Sequence, residues 1–307
     1  MTIQEALNTG TEAIGRRDTQ LLLSHITGQS LTGIVVNNNQ PLDETAIGAF
    51  FAAVDRRKAK EPLQYILGAW EFMGLNIKTD PRALIPRPET ELLVEEALAH
   101  ICKLERPARV LDICTGSGCI AVAVAKLSNA VVTAVDISPD ALALAAENVN
   151  LHRLTEKIKL VQSDLFDGLQ GQTFDVIISN PPYIPANELC RLQTEIRSHE
   201  PMLALDGGPD GMDIYRRLIP RSLDFLAPGG ALFLEIGPPA VETIMSDAGY
   251  DIVSRVRDYA GLDRILVGQG DGSSVTDLKW VSSCIDGDRR TVPLSHPCPI
   301  QLEVKYV

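Results

Sequence analysis

Two short stretches of this sequence carry side chains whose types and spacing suit group transfer. The first is Asn180-Pro181-Pro182-Tyr183, directly after the apolar run FDVIIS at 174–179. An asparagine carbonyl and the main-chain carbonyl of Pro181 can together accept both hydrogens of a planar amino group. Proline has no N–H, so no local donor competes for that carbonyl, and the proline pair fixes its direction. Tyr183 offers a ring for the flat face of the same group. The acceptor that fits is a weak nitrogen nucleophile, an amide or aromatic amine whose lone pair is delocalised. Holding both N–H groups returns electron density to nitrogen and aligns it for in-line attack, and alignment contributes up to ~7–11 kcal/mol in favourable intramolecular cases. The catalytic set expected is therefore Asn180, Pro181 and Tyr183, with no His or Glu base, because the alkylated nitrogen sheds its proton readily. The bland alternative is a rigid loop.

The second stretch is Asp112-Ile113-Cys114-Thr115-Gly116-Ser117-Gly118, an acidic strand end followed by a tight turn that opens a helix. Glycines admit close backbone approach, and a helix start offers unpaired N–H groups. Position 121 is Ala, so the third glycine of a dinucleotide fingerprint is missing. The next strand, VTAVDIS, ends in Asp136 and Ile137, about 20 residues past the turn, where an acid can accept from both hydroxyls of a ribose. Asp136 read instead as a helix cap has a competitor in Ser138. VQSDLF then places Asp164 and Leu165 at a third strand end, where the acid can receive the exocyclic amine of adenine. Three acids at successive strand ends, read as facing one crevice, are poor company for a pyrophosphate. They suit a ligand with hydroxyls, an amine and a positive charge, which S-adenosylmethionine has.

The elements that must position these residues follow from periodicity. IQEALNTGTEAIG and DTQLLLSHITG have helical spacing, with Asp18 expected to cap the second, and DETAIGAFFAAVDRRKAKEP is a longer helix with Asp43 near its start. EFMGLNIKTDP and RALIPRP read as short extended pieces before the helix ETELLVEEALAHICKL. From 109 onward, strands and helices alternate, which predicts an α/β fold: a parallel sheet with helices on both faces and a ligand site beyond the carboxyl ends of its strands. The tail from 270 opens with Gly and Ser and has no sustained period.

Composition sets bounds on function. The chain has 307 residues and a net charge of −12, which argues against holding nucleic acid through many phosphate contacts. No signal-peptide layout and no membrane-length apolar run is present, so a cytoplasmic protein with no membrane association is expected. The six cysteines include no C-x-x-C pair and are read as buried thiols, and the five histidines show no metal-ligand spacing. No metal site is expected.

These residues resemble the HemK-type glutamine methyltransferases that modify peptide-chain release factors, within the class I methyltransferases. The resemblance runs from residue 1 to about 268 and rests on EPLQYILG at 61–68, FMGL at 72–75, LIPRPETELLVE at 84–95, DICTGSG at 112–118, SNPPYI at 179–184, HEPMLALDGGPDGMDIYRRL at 199–218 and DYAGLDRILVG at 258–268. It implies a doubly wound, seven-stranded Rossmann-like sheet with a small helical N-terminal domain. The implied division is residues 1–75 as the substrate-docking domain, 76–269 as the methyltransferase domain and 270–307 as an extension of unknown role.

It also implies S-adenosylmethionine held by Asp112, Cys114, Thr115, Gly116, Ser117, Gly118, Asp136, Ile137, Asp164, Leu165 and Asn180. The substrate glutamine of a Gly-Gly-Gln loop would meet Asn180, Pro181, Pro182 and Tyr183. Arg87 and Glu89 either organise the pocket wall or merely begin a helix. The partner implied is a release factor; the acidic balance argues against direct nucleic-acid binding, and a monomer is the default expectation. Two departures stand out. Cys114 occupies a position more often glycine, read as a small residue of ordinary φ or as an altered donor loop. Leu165 replaces an aromatic residue found beside adenine in some members, which keeps an apolar wall without stacking. Rival readings are a glutamine methyltransferase acting on a large-subunit ribosomal protein, a nucleic-acid adenine methyltransferase, and a non-catalytic S-adenosylmethionine-binding module.

Overall fold

The computed structural model describes residues 1–238, 240–258 and 261–270. The extension read from 270 lies, after Gly270, outside the described residues, as do Cys284 and Cys298. The chain opens with α1 (Ile3–Ile14), set by a reciprocal cap in which Thr2 Oγ1 accepts from Glu5 N and the Glu5 carboxylate accepts from Thr2 N. Next come α2 (Arg16–Thr27), α3 (Leu31–Val36), α4 (Glu44–Lys58) and α5 (Leu63–Leu67). Asp43 caps α4 as expected, through Ala46 N at 2.7 Å. Asp18 does not cap α2: the helix starts after Gly15, and Asp18 in its first turn instead takes Arg57 Nε at 2.6 Å. Ile3, Leu23, Ile34, Phe50 and Val54 form a core for these helices, separate from that of the sheet.

The boundary read at 75 falls inside a hairpin, β1 (Ala69–Phe72) and β2 (Leu75–Lys78). Its two-residue turn, Met73-Gly74, has φ of +52° and +70°, the mirror-image turn that matches strand twist. The N-terminal run of helices therefore ends at Leu67.

The remaining elements are α6 (Pro88–Ile101), β3 (Arg109–Ile113), α7 (Cys119–Leu127), β4 (Val131–Asp136), α8 (Pro139–Leu151), β5 (Ile158–Gln162), β6 (Phe174–Ser179), α9 (Thr194–His199), α10 (Asp213–Ser222), β7 (Leu226–Glu235), α11 (Val241–Ala248), β8 (Asp251–Arg257) and β9 (Asp263–Gln269). Seven strands form one sheet in the order β5-β4-β3-β6-β7-β9-β8. β3 to β7 are parallel, and β9 runs antiparallel to both neighbours. Period-two alternation gives each face its own core. Val110, Val176, Ile178 and Phe233 pack with α6 and α7, whereas Leu111, Ile177, Leu232 and Leu234 pack with α10 and α11. The direction of strand progression reverses between β3 and β6, which leaves a crevice beyond their carboxyl ends.

No helix among the described residues is long and apolar enough to cross a membrane. Cys102, Cys114, Cys119 and Cys190 are thiols, and Cys102 and Cys190 are exposed rather than buried.

Three polar ties hold the surrounding segments over the crevice. Arg57 of α4 bridges Asp18 at 2.6 Å and Glu195 of α9 at 2.8 Å, joining the helical domain to the loop region before α10. Asn148 of α8 is fully buried: its Oδ1 accepts from Lys78 N, and its Nδ2 donates to Lys78 O and to Ser117 O, which locks the hairpin to the glycine turn. Tyr65 OH donates to Ala83 O at 2.8 Å.

The Asn180–Tyr183 corner is clamped by the long segment before α10. Ile184 N donates to Leu205 O, Gly207 N to Ile184 O, and Ala186 N to Gly208 O, all at 2.8–3.0 Å. The glycines of DGGPDG make this possible. Gly211 has φ +77°, and a Cβ there would lie 2.4 Å from the Tyr183 carbonyl oxygen. Left-handed backbone alone costs an L-residue about 1–2 kcal/mol, and the overlap adds to it. Gly211→Ala should therefore lower the unfolding free energy by at least about 1–2 kcal/mol in urea titration. An unchanged midpoint would show that the clamp does not hold the corner.

Candidate active site

A cavity of about 340 Å³ opens beyond the carboxyl ends of β3, β4 and β6, within the range of small-ligand pockets. Its floor is the turn from Cys114 to Ser117, its sides are Asp136-Ile137, Asp164-Leu165 and Asn180, and its roof comes from residues 81–87 and Pro201–Ala204.

The turn is held from two directions. Gly116 N donates to Asp136 Oδ2 at 2.8 Å, and Ser138 N donates to Asp136 Oδ1 at 2.9 Å. Ser138 also caps α8, so Asp136 does not have to serve as that cap. Each Asp136 oxygen retains acceptor capacity, and burial raises its carboxyl pKa against the pull of those N–H groups. Cys114 does not have ordinary φ. It sits at +61°, in the left-handed region that explains glycine's fitness there, with its thiol pushed far up by burial. Gly118, at φ +78°, lets α8 pack closely, since a Cβ would meet Ala145 at 3.0 Å.

Asp112 does not face the crevice. It is fully buried beneath the turn, where Oδ2 accepts from Thr115 Oγ1 and from Ala121 N in the first turn of α7. Its Oδ1 and the buried Ser117 Oγ have no protein partner. Burial pushes the Asp112 carboxyl up to about 7, with Thr115 and Ala121 acting in the opposite direction.

On the third side, Ile137 is half exposed to the cavity and Leu165 is buried with φ +50°. A left-handed leucine is backbone strain of the kind that clusters at ligand sites. Asp164 reaches the rim, where Arg217 Nη2 donates to it at 2.7 Å. The carboxylate is thus shared with an exposed arginine.

The transfer end is built from three elements. Asn180 Nδ2, after β6, donates to Thr90 Oγ1 of α6 at 3.1 Å. Thr90 in turn donates to Glu235 Oε2 at the end of β7, at 2.6 Å. Tyr183 OH donates to Glu235 Oε1 at 3.4 Å, and its ring lies where a Cβ on Gly237 would be, 2.4 Å from Cδ2. Pro182 lines the cavity, while Pro181 is buried, and neither it nor Tyr183 is part of the lining. Burial pushes the Glu235 carboxyl up to about 7, with Thr90 opposing.

Arg87 and Glu89 separate in role. Arg87 Nη2 donates to Glu200, whose buried carboxylate also accepts from Ile85 N, so this pair fastens the roof. Breaking such a pair strands a buried charge at a cost of ~3–5 kcal/mol. Glu89 lies outside the lining, close enough to act electrostatically on Tyr183, Glu235 and Arg264. Thr90, Glu200 and Glu235 were missed in the sequence. The one signal for Glu235 was an acid ending the apolar run ALFLEIG.

The pH dependence of stability follows from the raised carboxyls. A carboxyl with folded pKa near 7 and unfolded pKa near 3.8 binds its proton more tightly in the folded state. Its contribution is greatest at low pH and is lost as pH rises from about 4 to about 7. Asp112→Asn removes one such group, so its stability should fall less over that window in denaturant titrations. A slope matching that of the unaltered protein would mean that Asp112 is ionised throughout.

Residues 3–68 match the family model described as PrmC N-terminal domain, and residues 89–198 match that of the Methyltransferase small domain. A release factor glutamine methyltransferase of Geobacter sulfurreducens is 45% identical over 258 residues, covering 83% of this chain and 89% of that one. One from Moorella thermoacetica is 40% identical over 279 residues, covering 87% and 98%. Among solved structures, a methyltransferase from Pyrococcus furiosus has 20% identity and TM-score 0.50, with 75% and 100% coverage. The catalytic domain of hMettl16, solved with a MAT2A 3'UTR hairpin, has 17% identity and TM-score 0.51, with 80% and 86% coverage. At those identities the likeness is one of fold. The sequence relatives go further, and the chain belongs to the family of release factor glutamine methyltransferases.

Proposed function

We propose that this chain methylates the side-chain amide nitrogen of the glutamine in the Gly-Gly-Gln loop of peptide-chain release factors, with S-adenosylmethionine as donor. One observation carries the reading: the Asn180 amide has its nitrogen committed to Thr90, so its oxygen is left for the cavity. An oxygen facing the cavity accepts N–H from a primary amide, which is what the acceptor must offer.

The lining fits the donor on its own chemistry. Asp136 keeps acceptor lone pairs for a ribose hydroxyl pair, and Ile137 and Leu165 give apolar faces for a purine. Asp164 stands at the same rim to receive an amine. The unpartnered Ser117 Oγ, in the lining at the foot of the turn, suits the polar end of that donor. When bound, S-adenosylmethionine supplies a methyl group on a sulfonium, open to displacement by a nitrogen lone pair.

The chain's own part is orientation. Asn180 Oδ1 holds one amide hydrogen and the Pro181 carbonyl, beside the lining and not in it, is the acceptor for the other, which turns the nitrogen lone pair toward the donor end of the cavity. Tyr183, kept protonated by burial, backs the corner and limits the approach of the substrate. Ile85, Pro182 and Leu203 make that end apolar and keep water from competing. The proton lost from nitrogen after transfer needs no dedicated base. The helical domain offers exposed Val35, Val36 and Phe51 for docking of a protein substrate.

The test is mass spectrometry of a Gly-Gly-Gln release factor after incubation with the full chain and S-adenosylmethionine. The expected result is a gain of one methylene on that glutamine, reduced at least ~10²-fold by Asn180→Ala, the scale of loss from misplaced reactants, while donor binding persists. A gain on total ribosomal protein instead would shift the substrate, and a gain on nucleic acid would overturn the reading.

A further inference from the structure

An asparagine side chain is nearly symmetric in shape, so packing alone does not decide whether its oxygen or its nitrogen faces a ligand. Hydrogen-bond polarity decides it. Here the decision is made two residues away from the substrate. The Thr90 hydroxyl has one proton and gives it to Glu235 Oε2 at 2.6 Å. Its oxygen is then left only as an acceptor, and the one group of Asn180 that satisfies it is Nδ2, at 3.1 Å. The remaining atom, Oδ1, must point the other way. All three partners come from different elements, Thr90 being 3% and Glu235 2% exposed. Glu235 also receives Tyr183 OH, so both carboxylate oxygens act as acceptors.

Glutamine and glutamate differ at the reacting end by NH₂ against O⁻, a double donor against an acceptor. An oxygen-forward Asn180 attracts the first and repels the second. A nitrogen-forward Asn180 would attract the carboxylate and could meet glutamine only through its carbonyl oxygen, which turns the reacting nitrogen away. We infer that Glu235, acting through Thr90, sets the polarity of Asn180 and thereby makes the site select a carboxamide over a carboxylate side chain. This rests on the proposed function above, and it assigns Thr90 and Glu235 as positioning and specificity-determining residues of the same site. Neither residue passes through a chemical change.

Glu235→Gln tests the inference with little change in shape. A glutamine can donate its NH₂ to Thr90, which frees the threonine proton for Asn180 and permits the reversed orientation. Thr90→Val removes the relay, and Thr90→Ser restores it. Each full-length variant is assayed for methylation of a Gly-Gly-Gln peptide, for calorimetric binding of S-adenosylhomocysteine, and for the ratio of Gly-Gly-Gln to Gly-Gly-Glu peptide affinity with that nucleoside bound. Expected are unchanged nucleoside affinity, a fall in kcat of roughly 10²-fold in Glu235→Gln and Thr90→Val, and a shift of the affinity ratio toward the glutamate peptide. Thr90→Ser should recover most of what Thr90→Val loses.

The inference is overturned if both variants bind nucleoside but keep the rate and the discrimination of the unaltered chain. A Thr90→Ser variant as impaired as Thr90→Val also overturns it, because that pattern reports packing. An unaltered chain that binds nucleoside but fails to methylate the glutamine peptide and the release factor alike sinks the proposed function first, and the inference with it.

Discussion

A carboxamide can grip the NH₂ of another carboxamide only with its oxygen facing forward, and in this chain that orientation depends on a buried carboxylate. Glu235 accepts from the Thr90 hydroxyl, Thr90 accepts from the Asn180 amide N–H, and the asparagine oxygen is left for the substrate. Burying a carboxylate is costly unless its oxygens are satisfied. Here they accept from two hydroxyls, and the carboxyl is nonetheless pushed up to about 7. Such a group is a poor device for stability. Its value lies in direction: once ionised, above that pH, it has only acceptors to offer where a neutral amide would have both signs.

Much of the fold can be read as the means of bringing those three residues together. β6 and β7 are neighbours in the sheet, so Asn180 and Glu235 emerge side by side at its carboxyl edge. α6 packs on the same edge and supplies Thr90 from its first turn. The glycine-rich segment before α10 then clamps the corner against solvent, with Gly207 and Gly211 allowing backbone to touch backbone. On the donor side the same economy recurs. Asp112 organises the turn from below, Asp136 from the side, and Asn148 ties it to the hairpin that follows the helical domain. Arg57 and the Arg87–Glu200 pair link the helical domain and the roof to this edge, so helical domain and cavity share one framework.

The sequence made the α/β alternation plain, because apolar strands and amphipathic helices have different periods and the glycine turn and Asn-Pro-Pro-Tyr corner fall at strand ends. Asp136 and Asn180 line the cavity from the strand ends where that pattern puts them. Less was legible where long-range contacts decide. Asp112 was read as a crevice residue, yet its carboxylate turns inward to satisfy Thr115 and the first turn of α7. Cys114 was allowed an ordinary φ, although the tight turn forces the left-handed one. Thr90 lay unnoticed in IPRPETE, since its partners are 90 and 145 residues distant and no local pattern announces them. Asp18 was read as a cap when a distant arginine claimed it.

The most direct measurement of the central claim is a crystal structure of this chain with S-adenosylhomocysteine and a Gly-Gly-Gln peptide. The account predicts the nucleoside between Asp136 and Leu165, and the glutamine carboxamide nitrogen in hydrogen-bond contact with Asn180 Oδ1 and the Pro181 carbonyl, with Thr90 still joining Asn180 to Glu235. A peptide glutamine seated away from Asn180, or an Asn180 amide released from Thr90 in the complex, would contradict it.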